Sequence, residues 1–151
     1  MYLREYESTD CSEMLVLFYE TVRAIDRESY TKEQLAAWAP DQTDAAAWDR
    51  TWLDHYTLVA VENDHIIGFG DIDESGYLDH LYVHPRSQNR GVATMLCDVL
   101  ERRYFPKTIV THASIPAKPF FLGRGYRLVR EQQVIRNHIP LTNYVMEKIM
   151  E

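Results

Sequence analysis

Between His84 and Leu96 the sequence HPRSQNRGVATML passes from a polar, cationic loop through a single glycine into an amphipathic helix. A helix starting near Arg90 leaves its first main-chain N–H groups without intrahelical acceptors, and the aligned peptide dipoles add partial positive charge there. Such an end attracts anions, phosphate above all. Gly91 lets a ligand approach the backbone with no Cβ in the way, Ala93 and Thr94 keep the first turn slim, and Arg86, Gln88 and Arg90 add charge and donors. Neither GxxxxGKS/T nor GxGxxG occurs, so the spacing is not that of a P-loop or a Rossmann turn. An ordinary strand-to-helix turn is the plain alternative.

A second candidate lies just upstream. YLDHLYVH (77 to 84) alternates as a strand does, which puts Tyr77, Asp79, Leu81 and Val83 on one face and His80 on the other unless a bulge shifts the register. Asp79 is then an acid among apolar neighbours, a setting that perturbs a carboxyl group's affinity for protons. The alternative is an edge carboxylate making a structural hydrogen bond. His80 and His84 would be i, i+4 on a helix, but on a strand ended by Pro85 they do not form a zinc pair, and no metal site is expected. Cys11 and Cys97 lack partners at CxxC spacing and read as buried packing.

These residues need a frame. YLREY is a short first strand; Asp10 and Glu13 have capping-box spacing, and Met14, Leu15, Phe18, Val22 and Ile25 fall on one helical face. A second helix opens at Thr31 with Gln34 at its third position and stops near Pro40; DAAAWDRTWLD (44 to 54) reads as a third. YTLVAVE (56 to 62) and HIIGFGDI (65 to 72) are strands joined at Asn63-Asp64 in a tight hairpin, and Glu74-Ser75-Gly76 turns into the strand that carries Asp79. Val92, Met95, Leu96, Val99 and Leu100 give a helix running to about Tyr104. KTIVTHAS (107 to 114) is a strand, AKPFFLGRG a short helix, and YRLVREQQVI and NYVMEKIM the closing strands. The order predicts one domain over 1–151 of mixed α/β class, a mostly antiparallel sheet flanked by helices.

Composition narrows the function. The net charge of −7 argues against a nucleic-acid partner. Residues 1–75 carry 17 Asp/Glu against 5 Lys/Arg, and residues 76–151 carry 6 against 11, so an anion would favour the second half and a cation the first. The start MYLREYESTD has no apolar signal run, and no stretch reaches the roughly 18 to 20 apolar residues of a membrane helix, so no membrane partner and a cytoplasmic location are expected.

Gln88-Asn89-Arg90-Gly91-Val92-Ala93 resembles the Q/R-x-x-G-x-G/A signature of the GCN5-related N-acetyltransferases (GNAT). LDHLYVHP resembles the fourth strand of that family, and ASIPAKPFFLGRGYRLV its A-x-x-F/Y-Y-x-x-x-G-F segment, in matching order over nearly the whole chain. SYTKEQLAAWA and NYVMEKIM look more narrowly like the bacterial YafP-type branch. The resemblance implies a GNAT-like fold and acetyl-CoA as acetyl donor substrate. By it, the main-chain amides of Gln88, Asn89, Arg90, Gly91, Val92, Ala93 and Thr94 hold the pyrophosphate, and Leu81, Tyr82 and Val83 offer an open strand edge to pantetheine. Ser114 stands where the family often has Asn, Phe120 and Phe121 pack along the pantetheine arm, and Lys118 is a candidate for the 3′-phosphate. All of these have plain structural readings as well.

Direct transfer to an amine requires a base, because a primary ammonium has a pKa of about 10. Asp79 is the first candidate and His80 a lesser one. The family's usual tyrosine, which protonates the departing thiolate, is replaced by Phe121. Tyr82, Tyr126, Tyr144 or a water relayed by Ser114 are the substitutes considered. Trp38, Trp48, Trp52, Tyr30 and Tyr56, with Asp41, Asp44, Asp49 and Asp54, suggest a site for a cationic small-molecule amine. The expected partners are that amine and, at most, a second copy of the chain in a homodimer. A non-catalytic acyl-CoA-binding or sensing module stays open as the rival class, with an unrelated nucleotide-binding domain behind it.

Overall fold

The computed structural model describes all residues, Met1–Glu151. Strands β1 (Tyr2–Glu5), β2 (Tyr56–Glu62), β3 (His65–Ile72), β4 (Tyr77–Val83), β5 (Thr108–Ala113), β6 (Arg127–Arg136) and β7 (Ile139–Ile149) form one sheet in the order β1-β2-β3-β4-β5-β7-β6. Every neighbouring pair is antiparallel except β4 and β5. The helices are α1 (Cys11–Arg23), α2 (Lys32–Trp38), α3 (Ala45–Asp54), α4 (Val92–Leu100) and α5 (Lys118–Gly123). None is long and apolar enough to cross a membrane.

Alternation along the strands divides the core in two. Val59, Val61 and Phe69 pack with Met14, Phe18 and Val22 of α1, Leu35 of α2 and Trp52 of α3. Leu58, Ala60, Ile72 and Leu78 pack with Val92, Leu96 and Leu100 of α4 and Phe121 of α5. Gly70 of β3 lets α4 lie close on the sheet, since a Cβ there would stand 2.9 Å from Leu100 Cδ1. A buried polar knot ties the second layer together: Glu101 accepts hydrogen bonds from Arg124 Nε at 2.7 Å, the Tyr126 hydroxyl at 2.7 Å and Lys148 Nζ at 3.1 Å.

Several local readings hold and some shift. Asn63 and Asp64 both take positive φ, 51° and 62°, the twist that suits a two-residue hairpin. Thr31 and Gln34 exchange capping bonds, Gln34 N–H to Thr31 Oγ1 at 3.1 Å and Thr31 N–H to Gln34 Oε1 at 2.8 Å. The Asp10–Glu13 box does not form. Arg4 takes both Asp10 carboxylate oxygens at 2.8 Å, Glu7 N–H donates to the same group, and Glu13 instead accepts from Ile66 N–H at 2.7 Å. An ion pair with a guanidinium outcompetes the cap. Helix α4 begins at Val92 rather than near Arg90, because Gly91 stands outside it in a left-handed conformation (φ 84°), and it ends at Leu100, four residues short of Tyr104.

Candidate active site

The start of α4 is open. No acceptor within the protein reaches any main-chain N–H from Gln88 to Thr94, and a Cβ built on Gly91 would meet nothing within 4 Å. Seven main-chain donors near the dipole's positive end are therefore left without an acceptor in the protein. The side chains of this loop are partly occupied. Arg90 makes a two-pronged ion pair with Glu62 (3.1 and 2.7 Å), and Gln88 Nε2 donates to the Val83 carbonyl at 3.0 Å. The free donors of this loop belong to the backbone rather than to its side chains.

β4 and β5 pair only at Tyr77–Val110 and Leu78–Thr111 and then part, leaving the run from Asp79 to Val83 without a partner strand on that side. A bulge between Asp71 and Ile72 of β3 gives Asp71 the partner His80 and Ile72 the partner Leu78, so Asp79 has no partner on β3. This overturns the simple alternation. Leu78, Leu81 and Val83 pack in the α4 layer, while Tyr77, Asp79, His80 and Tyr82 all line one cavity of about 290 Å³. His80 thus joins Asp79 instead of facing away from it.

Opposite them lie Phe18 of α1, Tyr30, Trp38 of α2 and Trp48 of α3. Phe18 meets the Tyr82 ring edge-on at 5.1 Å, Trp48 lies 5.0 Å from the His80 ring and Tyr30 5.6 Å from Trp38. Tyr30 is fixed at both ends of its hydroxyl, donating to the Thr142 carbonyl at 2.7 Å and accepting from Ile115 N–H at 3.0 Å. Ser114, one residue past β5, completes the wall at the fork; its Oγ accepts from Ala117 N–H at 3.3 Å. His112, Arg136, Thr142 and Asn143 close the remaining side.

Behind the cavity sits a charge cluster that the sequence did not reveal. Asp71 has no exposed side-chain surface. It accepts from His55 Nδ1 at 2.8 Å, His80 Nδ1 at 2.9 Å and His80 N–H at 2.8 Å. Asp79 stands 3.7 Å from His80 Nε2 and 4.0 Å from His55 Nδ1. Burial works against the Asp71 carboxylate, but the two imidazoles outweigh it and hold its pKa below the usual range. Burial likewise opposes charge on His80, and Asp71 outweighs it, raising the imidazole's pKa; the hydrogen bond to Asp71 raises His55 too. Burial raises Asp79. The arrangement is an acid and an imidazole at the cavity, backed by a fixed carboxylate, suited to accept and pass a proton.

The other expected residues disperse. Trp52 is core, Tyr56 stacks under Arg103 at 4.5 Å, and Asp41, Asp44, Asp49 and Asp54 lie outside this cavity. Asp41 pairs with Arg23, Asp44 caps α3 through Ala47 N–H and Asp49 accepts from the Tyr6 hydroxyl. Phe121 is buried with its ring 4.9 Å from Tyr126, and Phe120 stacks on it at 5.2 Å. Tyr126 is committed to Glu101, Tyr144 lies under Lys118 Nζ at 4.4 Å, and neither lines the cavity. Burial pushes the Tyr82 phenol well above its usual pKa.

Residues 26–148 match the model of the acetyltransferase (GNAT) domain. The chain belongs to the GNAT family. It is 32% identical over 144 residues to the uncharacterized N-acetyltransferase YafP of Escherichia coli K12, covering 95% of this chain and 93% of that protein. A GCN5-related N-acetyltransferase from Rhodopseudomonas palustris superposes with a TM-score of 0.94 at 30% identity, over 99% of this chain and 95% of that one. At 19% identity, the putative acetyltransferase yncA of Salmonella typhimurium, solved with its cofactor acetyl-CoA, shares the fold (TM-score 0.68, 100% of this chain and 94% of that one). As a GNAT acetyltransferase, the protein uses acetyl-CoA as its acetyl donor.

Proposed function

We propose that the protein moves the acetyl group of acetyl-CoA directly to the amine of a small molecule held in the cavity at the β4–β5 fork. The diphosphate lies against the amides of Gln88 to Thr94. Pantetheine follows the open edge of β4 at Leu81, Tyr82 and Val83, with Phe120 and Phe121 on the far side of its arm. The observation that supports this most is the position of the cavity. The one place where β4 has lost its partner strand, and so has main-chain groups free for a thioester, is the place where Asp79, His80 and Ser114 meet.

The acceptor enters as an ammonium ion and must lose a proton before it attacks. Asp79 takes it with His80, whose Nδ1 is held by Asp71 so that Nε2 faces Asp79. The C–N bond forms as the C–S bond breaks, and the attacking nitrogen passes its second proton to Ser114 Oγ while that hydroxyl gives its own proton to the departing thiolate. Tyr82 serves as a wall; its phenol, with a pKa raised above that of a thiol near 8.5, is a poor proton donor to CoA.

Incubation with acetyl-CoA and a panel of primary amines, monitored by release of free CoA thiol, tests the reading. Amine-dependent release is expected. Tight CoA binding without release across the panel would point instead to a non-catalytic binding module.

A further inference from the structure

The cavity's polar equipment is not that of a site for a simple cation. Arg136, the last residue of β6, is the only Lys or Arg that lines it, and its guanidinium has neither a carboxylate nor a carbonyl within hydrogen-bonding distance. Arg130 acts on the cavity residue His112 by its charge but does not line the cavity. Asn143, on the adjoining strand β7, makes no side-chain hydrogen bond, and its buried Oδ1 is one of three orphaned side-chain atoms in the protein. The others, Thr21 Oγ1 and Trp52 Nε1, lie outside the cavity. A buried acceptor without a donor carries a desolvation cost that an N–H from a bound ligand removes.

Resting on the acetyl-transfer reading above, we propose that the acceptor is an amino-carboxylate with an apolar or aromatic body, of the amino-acid type. Its ammonium group meets Asp79 and the Asn143 carbonyl beside Ser114, where the thioester arrives. Its carboxylate pairs with Arg136, a planar donor fork matched to a carboxylate. Its body lies between Phe18, Trp38 and Trp48. The four carboxylates that suggested a cationic acceptor in the sequence take no part, since none faces this cavity. An amine of the same shape without the carboxylate would leave Arg136 unpaired and add a second positive charge to the same space.

The experiment compares matched acceptors that differ only in the carboxylate: phenylalanine with phenethylamine, tryptophan with tryptamine, and 6-aminohexanoate with pentylamine. Each is assayed by CoA-thiol release with the wild-type chain, Arg136→Ala and Arg136→Glu. In the wild type, kcat/KM is expected to be at least tenfold higher for the carboxylated member of at least one pair. Arg136→Ala should bring that ratio close to one, mainly through the acceptor's KM, and Arg136→Glu should invert it. Asn143→Ala should raise KM for both members of the pair. If the wild type turns over the plain amines as well as the amino-carboxylates, or if Arg136→Ala leaves the ratio unchanged, the proposal falls while acetyl transfer stands. If no member of any pair releases thiol while other amines of the panel do, this proposal falls and acetyl transfer stands; if the whole panel is silent as well, both fall.

Discussion

Replacing Asp71 with asparagine removes one negative charge and keeps nearly the same shape. Asp71 accepts two imidazole N–H bonds and one main-chain N–H bond, with no contact to water. Hydrogen bonds to charged groups contribute about 1.5–3 kcal/mol each and neutral ones about 0.5–1.5 kcal/mol. Asparagine keeps one acceptor oxygen, so the His80 bond drops from the first class to the second and the His55 N–H is left facing an amide NH2, a combined loss of about 2.5–4.5 kcal/mol while the histidines are protonated. For a chain of this size each kcal/mol moves Tm by about 2–4 °C, so the variant should melt about 5–15 °C lower near pH 6. The sign of the pH dependence follows from the shifts. His55 and His80 have raised values in the fold, so their contribution is complete below their ordinary value of about 6.5 and is lost as pH rises through the folded values. Asp71 has a depressed value, so its contribution is complete above about 3.9 and is lost on acidification. The gap between wild type and variant is therefore widest between about pH 4 and 6.5 and should shrink by half or more at pH 9. Thermal unfolding followed by circular dichroism at pH 5, 6.5 and 9 measures it. A gap that is constant with pH, or absent at pH 6, would refute the charged cluster.

Gly91→Glu should reduce acetyl-CoA affinity at least 100-fold by titration calorimetry, through charge repulsion at the seven amides. The added side chain meets no protein atom, so the fold should lose only about 1–2 kcal/mol for a non-glycine residue at φ 84°. Removing His80 or Asp79 (His80→Ala, Asp79→Asn) should lower kcat by about 10²–10⁴ while leaving the KM for acetyl-CoA within a few-fold. In the wild type, kcat/KM should rise with pH through a midpoint above 6.5, and Asp71→Asn should move that midpoint down. Glu101→Ala leaves the buried Tyr126 hydroxyl without its acceptor and Arg124 with Asp98 alone, and should cost about 1–3 kcal/mol in chemical denaturation without altering acceptor preference.

The element order could be read from the sequence because period 2 gives way to period 3.6 at turns that carry their own signals, such as Asn63-Asp64 and Glu74-Ser75-Gly76. The loop with unpaired amides was legible for the same reason: a helix start, a glycine and small residues are local features. What escaped depends on partners far along the chain. The insertion of β7 between β5 and β6 brings Asn143 to the same cavity as Ser114 and Asp79, which precede it far along the chain. The bulge that leaves Asp79 unpaired comes with the pairing of His80 to Asp71, and His80 lines the cavity. Asp71 itself, in HIIGFGDI, looks like any strand-end acid until His55 and His80 close over it. The Asp10 cap failed because Arg4, six residues earlier, offered a stronger partner. The aromatic residues were grouped correctly in part: Tyr30, Trp38 and Trp48 face the cavity, whereas Trp52 and Tyr56 do not.

The central claim is that main-chain amides at the start of α4 hold the cofactor's diphosphate. Titration of ¹⁵N-labelled protein with CoA, read from amide chemical shifts, tests it residue by residue. The account predicts the largest shifts among Gln88 to Thr94, with a second group from Asp79 to Val83. Saturable binding of CoA that leaves the Gln88–Thr94 amides unmoved would contradict it.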